Sequence, residues 1–570
     1  MYLDFEVKIP EVPGKIGRFT KGGTTYVRYV AGRTYHPEKK YNVPNHKTIG
    51  KLSVTDQTMM IPNENYLKYF GDEELPELKA GVKRSSCIRI GAFLVIRKIL
   101  EEYELPVILT KYLGMTDCGL FLDLAAYSII AENNAAQYYP DYAYNHPLFT
   151  VGMHIYSDSK VSDFFASVTD DQRIGFLNEW NANRDHREKI YISYDSTNKN
   201  CQAGNIEMVE FGHAKDDKNL PVFNYSIAYD TYNREPLFYE QYPGSIIDIS
   251  QLQFMLEKAR GYGYRHAGFI LDRGYFSKEN IQYMDRCGYD FVIMVKGMNS
   301  FVSDLILENK GKFENRRECN IRQYKTYGTT VKRQLYASDE KERYFHLFYS
   351  DHKAAAEREQ IDARMERMMR YLDSLKGQKV TISEGYKEYF HLETYEEDGT
   401  FLFAREKADV IERERDLGGY FAIVTSEKMT AKEALELYKS RDASEKLFKG
   451  DKSYLGNKSL RVQSDEAAST KIFDEFIALI VRCKMYTMLK DEVFRMEKSP
   501  NYMTVPAAIR ELEKIEMVRG LDGRYRLDHA VTATQKDILR AFRMDAGAVK
   551  KQAEEISEML AKYDKHPLED

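Results

Sequence analysis

The sequence predicts a multidomain α/β protein, with a mixed sheet at its centre and basic β-rich and helical regions flanking it. Three observations predict it. The chain has 570 residues, and at roughly 150 residues per domain that suggests about four domains. Apolar residues make up 43% and aromatics 13%, enough to bury ample core and to exclude wholesale disorder. Between residues 190 and 296, strand and helix periods alternate in the order β-β-β-α-β-α-β.

Residues 1–83 open the chain as a basic β-rich module. Residues 1–52 carry ten Lys/Arg against Asp4, Glu6, Glu11 and Glu38, a balance of +6 inside a chain of −5. Thr24–Val30 alternates and is β-rich, with Gly22-Gly23 and Ala31-Gly32 as punctuation. Such a module is either a DNA-contacting element or a solvated surface. Residues 84–189 turn helical, with apolar residues three and four apart over Ile88–Tyr103, Gly119–Glu132 and Ser162–Trp180. This region reads as a DNA-binding segment or a packing scaffold, and Arg184 after it as a surface charge.

The central region begins with Ile190–Asp195, a strand closing on an acid. Strands Val222–Asp230 and Pro236–Glu240 and a helix Ile249–Tyr262 follow. Ala267–Asp272 is a near-continuous apolar run, as expected of a strand buried on both faces. Ser277 then caps a helix through Met284, and Asp290–Val295 is another strand, closing the first part of the core at 296. Residues 297–417 form a β-rich insertion, with strands Gln334–Ala337 and Arg343–Tyr349 and a charged helix Ala354–Leu375. The sheet resumes at Gly418–Val424, followed by a helix from about 430 to 448. Leu460–Gln463 and a long apolar helix Ile472–Leu489 complete this second part, 418–492. In the tail, 493–570, a helix Ala507–Val518 and a strand Arg524–Leu527 suggest a winged-helix or hairpin element, a candidate for dimerisation or DNA contact.

Composition narrows the classes. A net charge of −5 excludes a globally basic wrapper, but signs can segregate onto separate faces of a folded protein. No run of 18 apolar residues occurs and the first residues are not a signal peptide, so a soluble cytoplasmic protein is expected. The six cysteines stand more than 30 residues apart, unlike zinc pairs or disulfide frameworks, and read as buried free thiols. The twelve histidines form no metal-binding motif.

Three acids stand out by position. Asp195 and Asp272 close strands, where α/β sheets place their ligands, and Glu445 sits on the helix after the insertion. An acid closing an apolar strand needs a cation. Two divalent ions held by oxygen ligands about 3.5–4 Å apart would meet that need and serve phosphoryl transfer. Strand-end aspartates are also ordinary turn formers. Around Glu445, the residues Tyr438, Arg441, Glu445 and Lys452 lie at offsets 0, 3, 7 and 14, which on one helix would give a stripe about 60° wide. The stripe could bind phosphate and metal, or could be a salt-bridged face pairing Arg441 with Glu445.

Tyr438-x2-Arg441-x3-Glu445-x6-Lys452 resembles the Y-x2-R-x3-E-x6-K signature of the insertion-sequence-4 superfamily of DDE transposases. Asp195, in Ile192-Ser193-Tyr194-Asp195-Ser196-Thr197, looks like the first family aspartate, and Asp272, in Leu271-Asp272-Arg273-Gly274-Tyr275, like the second. The basic start, ending His46-Lys47-Thr48-Ile49-Gly50-Lys51-Leu52, resembles the insertion-sequence-1634 branch. The resemblance implies a ribonuclease-H-like catalytic core, a mixed five-stranded sheet with flanking helices, interrupted by the β-rich insertion. It implies that Asp195, Asp272 and Glu445 hold two Mg²⁺ or Mn²⁺ ions, and that Tyr438, Arg441 and Lys452 contact DNA. The implied activity is cleavage of inverted repeats at element ends and joining of the 3′-hydroxyls to target DNA by a homodimer, with no membrane partner. Family members stack a tryptophan on a flipped base; here the only tryptophan, Trp180, precedes the first catalytic strand, so tyrosine or phenylalanine would take that part. The alternatives are a metal-dependent nuclease of the same fold and a domesticated DNA-binding protein. A two-carboxylate glycosidase leaves Arg441 and Lys452 unexplained.

Overall fold

The computed structural model describes residues 2, 5–37, 40–54, 56–70, 84–184, 189–201, 206–212, 214, 217–246, 248–295, 299–339, 341–395, 399–442, 455, 459–498, 500–520 and 522–565. The chain forms two compact units, one of residues 1–173, 453–457 and 466–570, the other of 174–452 and 458–465.

In the first unit, β1 (Val7–Lys8), β2 (Ile16–Lys21), β3 (Thr24–His36), β4 (Tyr41–Leu52) and β5 (Met59–Pro62) make an antiparallel sheet in the order β1-β5-β4-β3-β2. One face buries Val27, Ile49 and Met60 against Tyr66 of α1 (Glu64–Phe70). β6 (Cys87–Arg89) leads into α2 (Gly91–Glu102), α3 (Leu105–Leu113), α4 (Met115–Ala131), α5 (Tyr139–Asn145) and α6 (Asp158–Ser167). The helix expected over Ser162–Trp180 is two helices, α6 and α7 (Asp170–Ala182). Thr169 restarts it: its amide donates to Gln172 Oε1 (2.8 Å) and its hydroxyl accepts from the Gln172 amide (3.4 Å), a capping box that favours a new N-terminus.

The second unit is built on one mixed sheet. Its strands include β7 (Ile190–Cys201), β8 (Val222–Asp230) and β9 (Glu235–Pro243), then α8 (Asp248–Gly261), β10 (Ala267–Leu271), α9 (Lys278–Cys287) and β11 (Asp290–Met294). This is the β-β-β-α-β-α-β order of the sequence pattern. β7, β8 and β9 pair antiparallel, while β10 lies parallel to both β7 and β11. Every residue of β8 and β10 is buried, which explains the unbroken apolar run of β10.

The sheet does not stop at five strands. After α10 (Asn299–Asn309) the insertion contributes β12 (Asn320–Ile321), β13 (Thr326–Gln334) and β14 (Glu342–Tyr349). It continues with α11 (Asp351–Ser374), α12 (Glu384–Tyr389), β15 (Phe390–Thr394), β16 (Phe401–Glu406) and α13 (Ala408–Leu417), before β17 (Tyr420–Thr425) and α14 (Ala431–Lys439). The full order is β12-β13-β14-β17-β11-β10-β7-β8-β9, ten strands with β18 (Ser459–Leu460) beside β7. β11 would otherwise expose an unpaired edge, which β17 covers antiparallel through Met294–Ile423. The insertion is therefore half sheet extension. Its other half packs a core of its own from Ile361, Met365, Leu372, Phe390, Phe401 and Ile411.

The C-terminal part of the first unit has α15 (Asp465–Met496), α16 (Val505–Leu512), β19 (Glu516–Arg519), β20 (Tyr525–Leu527), α17 (Ala533–Ala541) and α18 (Ala546–Lys565). The helix expected over Ala507–Val518 ends at Leu512, because Met517 is a strand residue paired with both Ile88 and Leu527. The six cysteines are free, but only Cys118 and Cys201 are fully buried. Arg184 is no surface charge: its guanidinium stacks 3.8 Å over Trp180 and pairs with Glu235 at 3.1 Å.

Gly268 pairs with Tyr191, and a Cβ there would sit 2.4 Å from the Tyr191 ring, whose hydroxyl donates to Glu427 at 2.6 Å. Gly268→Ala is expected to cost about 1–3 kcal/mol of stability, and less in a Tyr191→Ala background, as a double-mutant cycle by chemical denaturation would read. His346 is fully buried between Thr330 Oγ1 (2.9 Å) and Thr425 Oγ1 (3.0 Å), and burial pushes its imidazole down to about 4 from an ordinary 6.5. The unfolded chain takes up that proton as pH falls below 6.5 while the folded chain refuses it until about 4, so stability is lost across that window. A His346→Phe variant should lose about 2–3 kcal/mol less than wild type on acidification from neutral pH to about 4, measured by denaturation at each pH.

Candidate active site

The site follows from one register. β7 and β10 run parallel with Tyr194 beside Leu271, so the next residue on each chain, Asp195 and Asp272, come side by side. Asp195 does not end its strand, as the sequence suggested. β7 continues through Ser196–Cys201, a polar run that would be poor strand material alone, because β8 pairs with it as far as Asn200 and β18 covers Asn200 and Cys201. Asp272 does follow the last residue of β10, and its carboxylate accepts the Arg273 amide at 2.7 Å, capping a short turn over Arg273–Tyr275. Beneath them the Tyr194 and Tyr275 rings lie 5.5 Å apart, and the Tyr194 and Ser226 hydroxyls are hydrogen-bonded at 2.7 Å. The acids thus stand on a stiff floor.

The third component comes from the chain after β17. α14 begins at a capping box, Thr430 with Glu433, and its apolar face packs Ala431, Leu435 and Tyr438 against Ile270, Val292 and Ile423 of the sheet. The helix ends at Lys439: the Ser440 amide bonds both Glu436 O (3.0 Å) and Leu437 O (3.1 Å), and the Arg441 amide bonds Tyr438 O (3.2 Å). That tightening puts Arg441 in a turn beyond the helix that carries Tyr438. Glu445 and Lys452 lie outside the described residues.

Arg441 reaches both acids. Its Nη1 lies 4.0 Å from Asp195 Oδ2 and 3.8 Å from Asp272 Oδ2, with its side chain 12% exposed. These are ion pairs longer than hydrogen bonds, and one cationic nitrogen serves two carboxylates. The guanidinium also stands 5.5 Å from the Tyr438 ring. Tyr438 itself is 6% exposed and part of the core. A ring so buried offers little face for stacking on a base. The partnership of Arg441 with Asp195 and Asp272 left no trace in the sequence, because it depends on which turn follows α14; a pairing with Glu445 falls outside the described residues.

Two acid oxygens converge on a single positively charged atom, the arrangement a divalent cation would exploit. Among the described residues no group of three His, Cys, Asp or Glu side chains is gathered for a metal, and Glu445 is not one of them. Trp180 is fully buried, donating from Nε1 to Pro236 O at 3.1 Å, so it is a core residue of the second unit.

Two carboxylates set side by side at a mixed sheet, with an arginine closing on both, define an acid-centred site of the α/β class. Residues 192–481, just over half the chain, match the family model described as the transposase DDE domain. The chain belongs to that family. No curated protein sequence matches it. Among solved structures it is similar to the piggyBac transposase synaptic complex with hairpin DNA determined by cryo-EM, at 7% identity and a TM-score of 0.30, covering 71% of this chain and 65% of that one. The likeness is too distant to carry an argument.

Removing the shared cation should unbalance the acids. Arg441→Gln is expected to lower stability, and Asp272→Asn in that background to restore part of it. A coupling of about 1 kcal/mol between the two changes, read by denaturation, is the expected outcome; strict additivity would mean that the 3.8 Å contact contributes nothing.

Proposed function

We propose that the chain is a DNA transposase of the insertion-sequence-4 superfamily, in its insertion-sequence-1634-like branch. It binds the terminal inverted repeats of an insertion sequence, cleaves the ends and joins the 3′-hydroxyls to target DNA. The observation that carries this reading is the convergence of Asp195 and Asp272 on Arg441, within a chain of the DDE-domain family. The central strands β9-β8-β7-β10-β11 are read as the ribonuclease-H-like core.

Asp195, Asp272 and Glu445 would hold two Mg²⁺ or Mn²⁺ ions, which supply the positive charge that activates the attacking oxygen and stabilises the leaving one. Arg441 neutralises the scissile phosphate from the side opposite the sheet floor, because its planar fork matches phosphate oxygens. Tyr438 holds that guanidinium from below, and Lys452 adds a second cation. Asp272, capped by the Arg273 amide, and Asp195, held in a strand paired on both edges, change position little as substrate enters. Residues 84–189 are read as an end-binding region and the C-terminal residues 493–570 as a dimerisation or DNA-contacting region of a homodimer. The protein would act in the bacterial cytoplasm, at the nucleoid.

Asp195→Asn, Asp272→Asn and Glu445→Gln should each abolish Mg²⁺-dependent strand cleavage while end binding persists. Equal loss of binding and cleavage in folded protein would make these acids structural. Strand-transfer assays with pre-cut ends separate this reading from a nuclease, since hydrolysis without joined products would leave only the latter. Affinity should also fall steeply with salt between about 50 and 200 mM, as released counterions dictate.

A further inference from the structure

The N-terminal sheet carries a surface that its own unit leaves unused. β2 pairs with β3 only as far as Tyr29, and β5 pairs with β4 only from Gly50 to Leu52. Beyond those limits Gly32–His36 and Tyr41–Asn45 pair with each other alone. The result is a two-stranded ribbon. Gly32, Arg33, Thr34 and Tyr35 are exposed in succession, so both faces of that strand meet solvent, and Tyr35 and Tyr41 are 59% and 56% exposed. A free two-stranded ribbon is marginal in water, and exposed aromatics at its outer end add no stability to it.

Its charge is one-sided. β2, β3 and β4 contain Arg18, Lys21, Arg28, Arg33, Lys47 and Lys51 but no aspartate or glutamate. Arg33, Lys40 and Lys47 form no ion pair among the described residues. The register sorts the side chains by face: Arg33 opposite Pro44 and Tyr35 opposite Asn42 share one, while Thr34 opposite Val43 and His36 opposite Tyr41 share the other.

We propose that this ribbon is a DNA-reading arm that lies in the major groove of a duplex, with the Arg33–Tyr35–Asn42 face toward the base edges and Lys40 and Lys47 on the flanking phosphates. Its partner strands, about 4.8 Å apart, fit with their side chains into a groove about 12 Å wide and not into one about 6 Å wide. Arginine and asparagine are the side chains that read guanine and adenine edges there. That the duplex is an element end rests on the transposase reading; the arm's affinity for duplex DNA does not.

The test uses the full chain and a fluorescein-labelled mixed-sequence duplex, with binding read by anisotropy across a salt series. Arg33→Ala/Lys40→Ala/Lys47→Ala should weaken binding about tenfold or more, and lower the slope of log affinity against log salt by about 2–3. Lys514→Ala, whose cation Glu511 already matches, should change neither. Methyl green, a major-groove ligand, should compete with the wild type, and netropsin, a minor-groove ligand, should not. Wild-type affinity and slope in the triple variant would overturn the arm while leaving the catalytic reading intact. Competition by netropsin alone would overturn the groove assignment. A shift in oligomeric state with unchanged DNA affinity would make the ribbon a contact between copies of the chain. A wild type that binds duplex through the arm yet cuts nothing with Mg²⁺ would sink the catalytic reading and spare this one.

Discussion

Two like charges set side by side by a backbone register are the constraint on which the rest of the second unit depends. Once Tyr194 lies beside Leu271 in a parallel pair, Asp195 and Asp272 cannot separate without breaking the sheet. Their mutual repulsion falls as a cation approaches, and in a half-buried setting that attraction is stronger than in water. The structure supplies Arg441, brought there by a capped helix whose Tyr438 is sunk in the core. A pair of acids fixed by the sheet, with a cation on a turn beyond a helix end, leaves the counter-ion on an element separate from the acids it matches. On the proposed reading that arrangement suits phosphoryl transfer, in which the charge to be matched would change between free and DNA-bound protein.

Much of this was legible in the residues. The strands Val222–Asp230 and Ala267–Leu271 could be read almost to the residue, the first from its β-branched and aromatic content and the second because complete burial leaves an unbroken apolar run. Ser277 was legible as a cap, and its hydroxyl accepts the Asn280 amide at 3.1 Å. Asp272 was legible for the same reason, as the first polar residue after such a run. What periodicity reads well is a local element with a single dominant environment.

The misreadings share a different cause. β7 runs on past Asp195 through Asn198, Lys199 and Asn200, which have little strand preference of their own; pairing with β8, joined at Asn200 by β18, overrides it. Cys87–Arg89 reads as the start of a helix until β19, more than four hundred residues later in the chain, pairs with it. The break at Thr169 was local and could have been seen, since threonine three residues before glutamine is a capping-box signature. Arg441 was placed on a stripe by helical arithmetic, and a turn at Ser440 moved it onto two acids. Long-range pairing and the exact end of a helix are the properties a periodic pattern does not encode.

The net charge of −5 then has a structural meaning. It averages over surfaces of different sign, three acid-free basic strands among them, and the paired acids Asp195 and Asp272 elsewhere. For a protein whose partner is a polyanion, those two surfaces have opposite tasks. The basic strands gain affinity by displacing counterions from phosphates, and that gain is lost with salt. The acids repel the same phosphates unless a cation stands between, so they admit DNA only in company with positive charge. On the proposed reading, such a division makes binding and cleavage separable: the second needs a cation at the acids that the first does not. An overall charge near zero therefore does not weigh against a polyanionic partner, since the sign that would meet it and the sign that a cation must first neutralise lie on different residues.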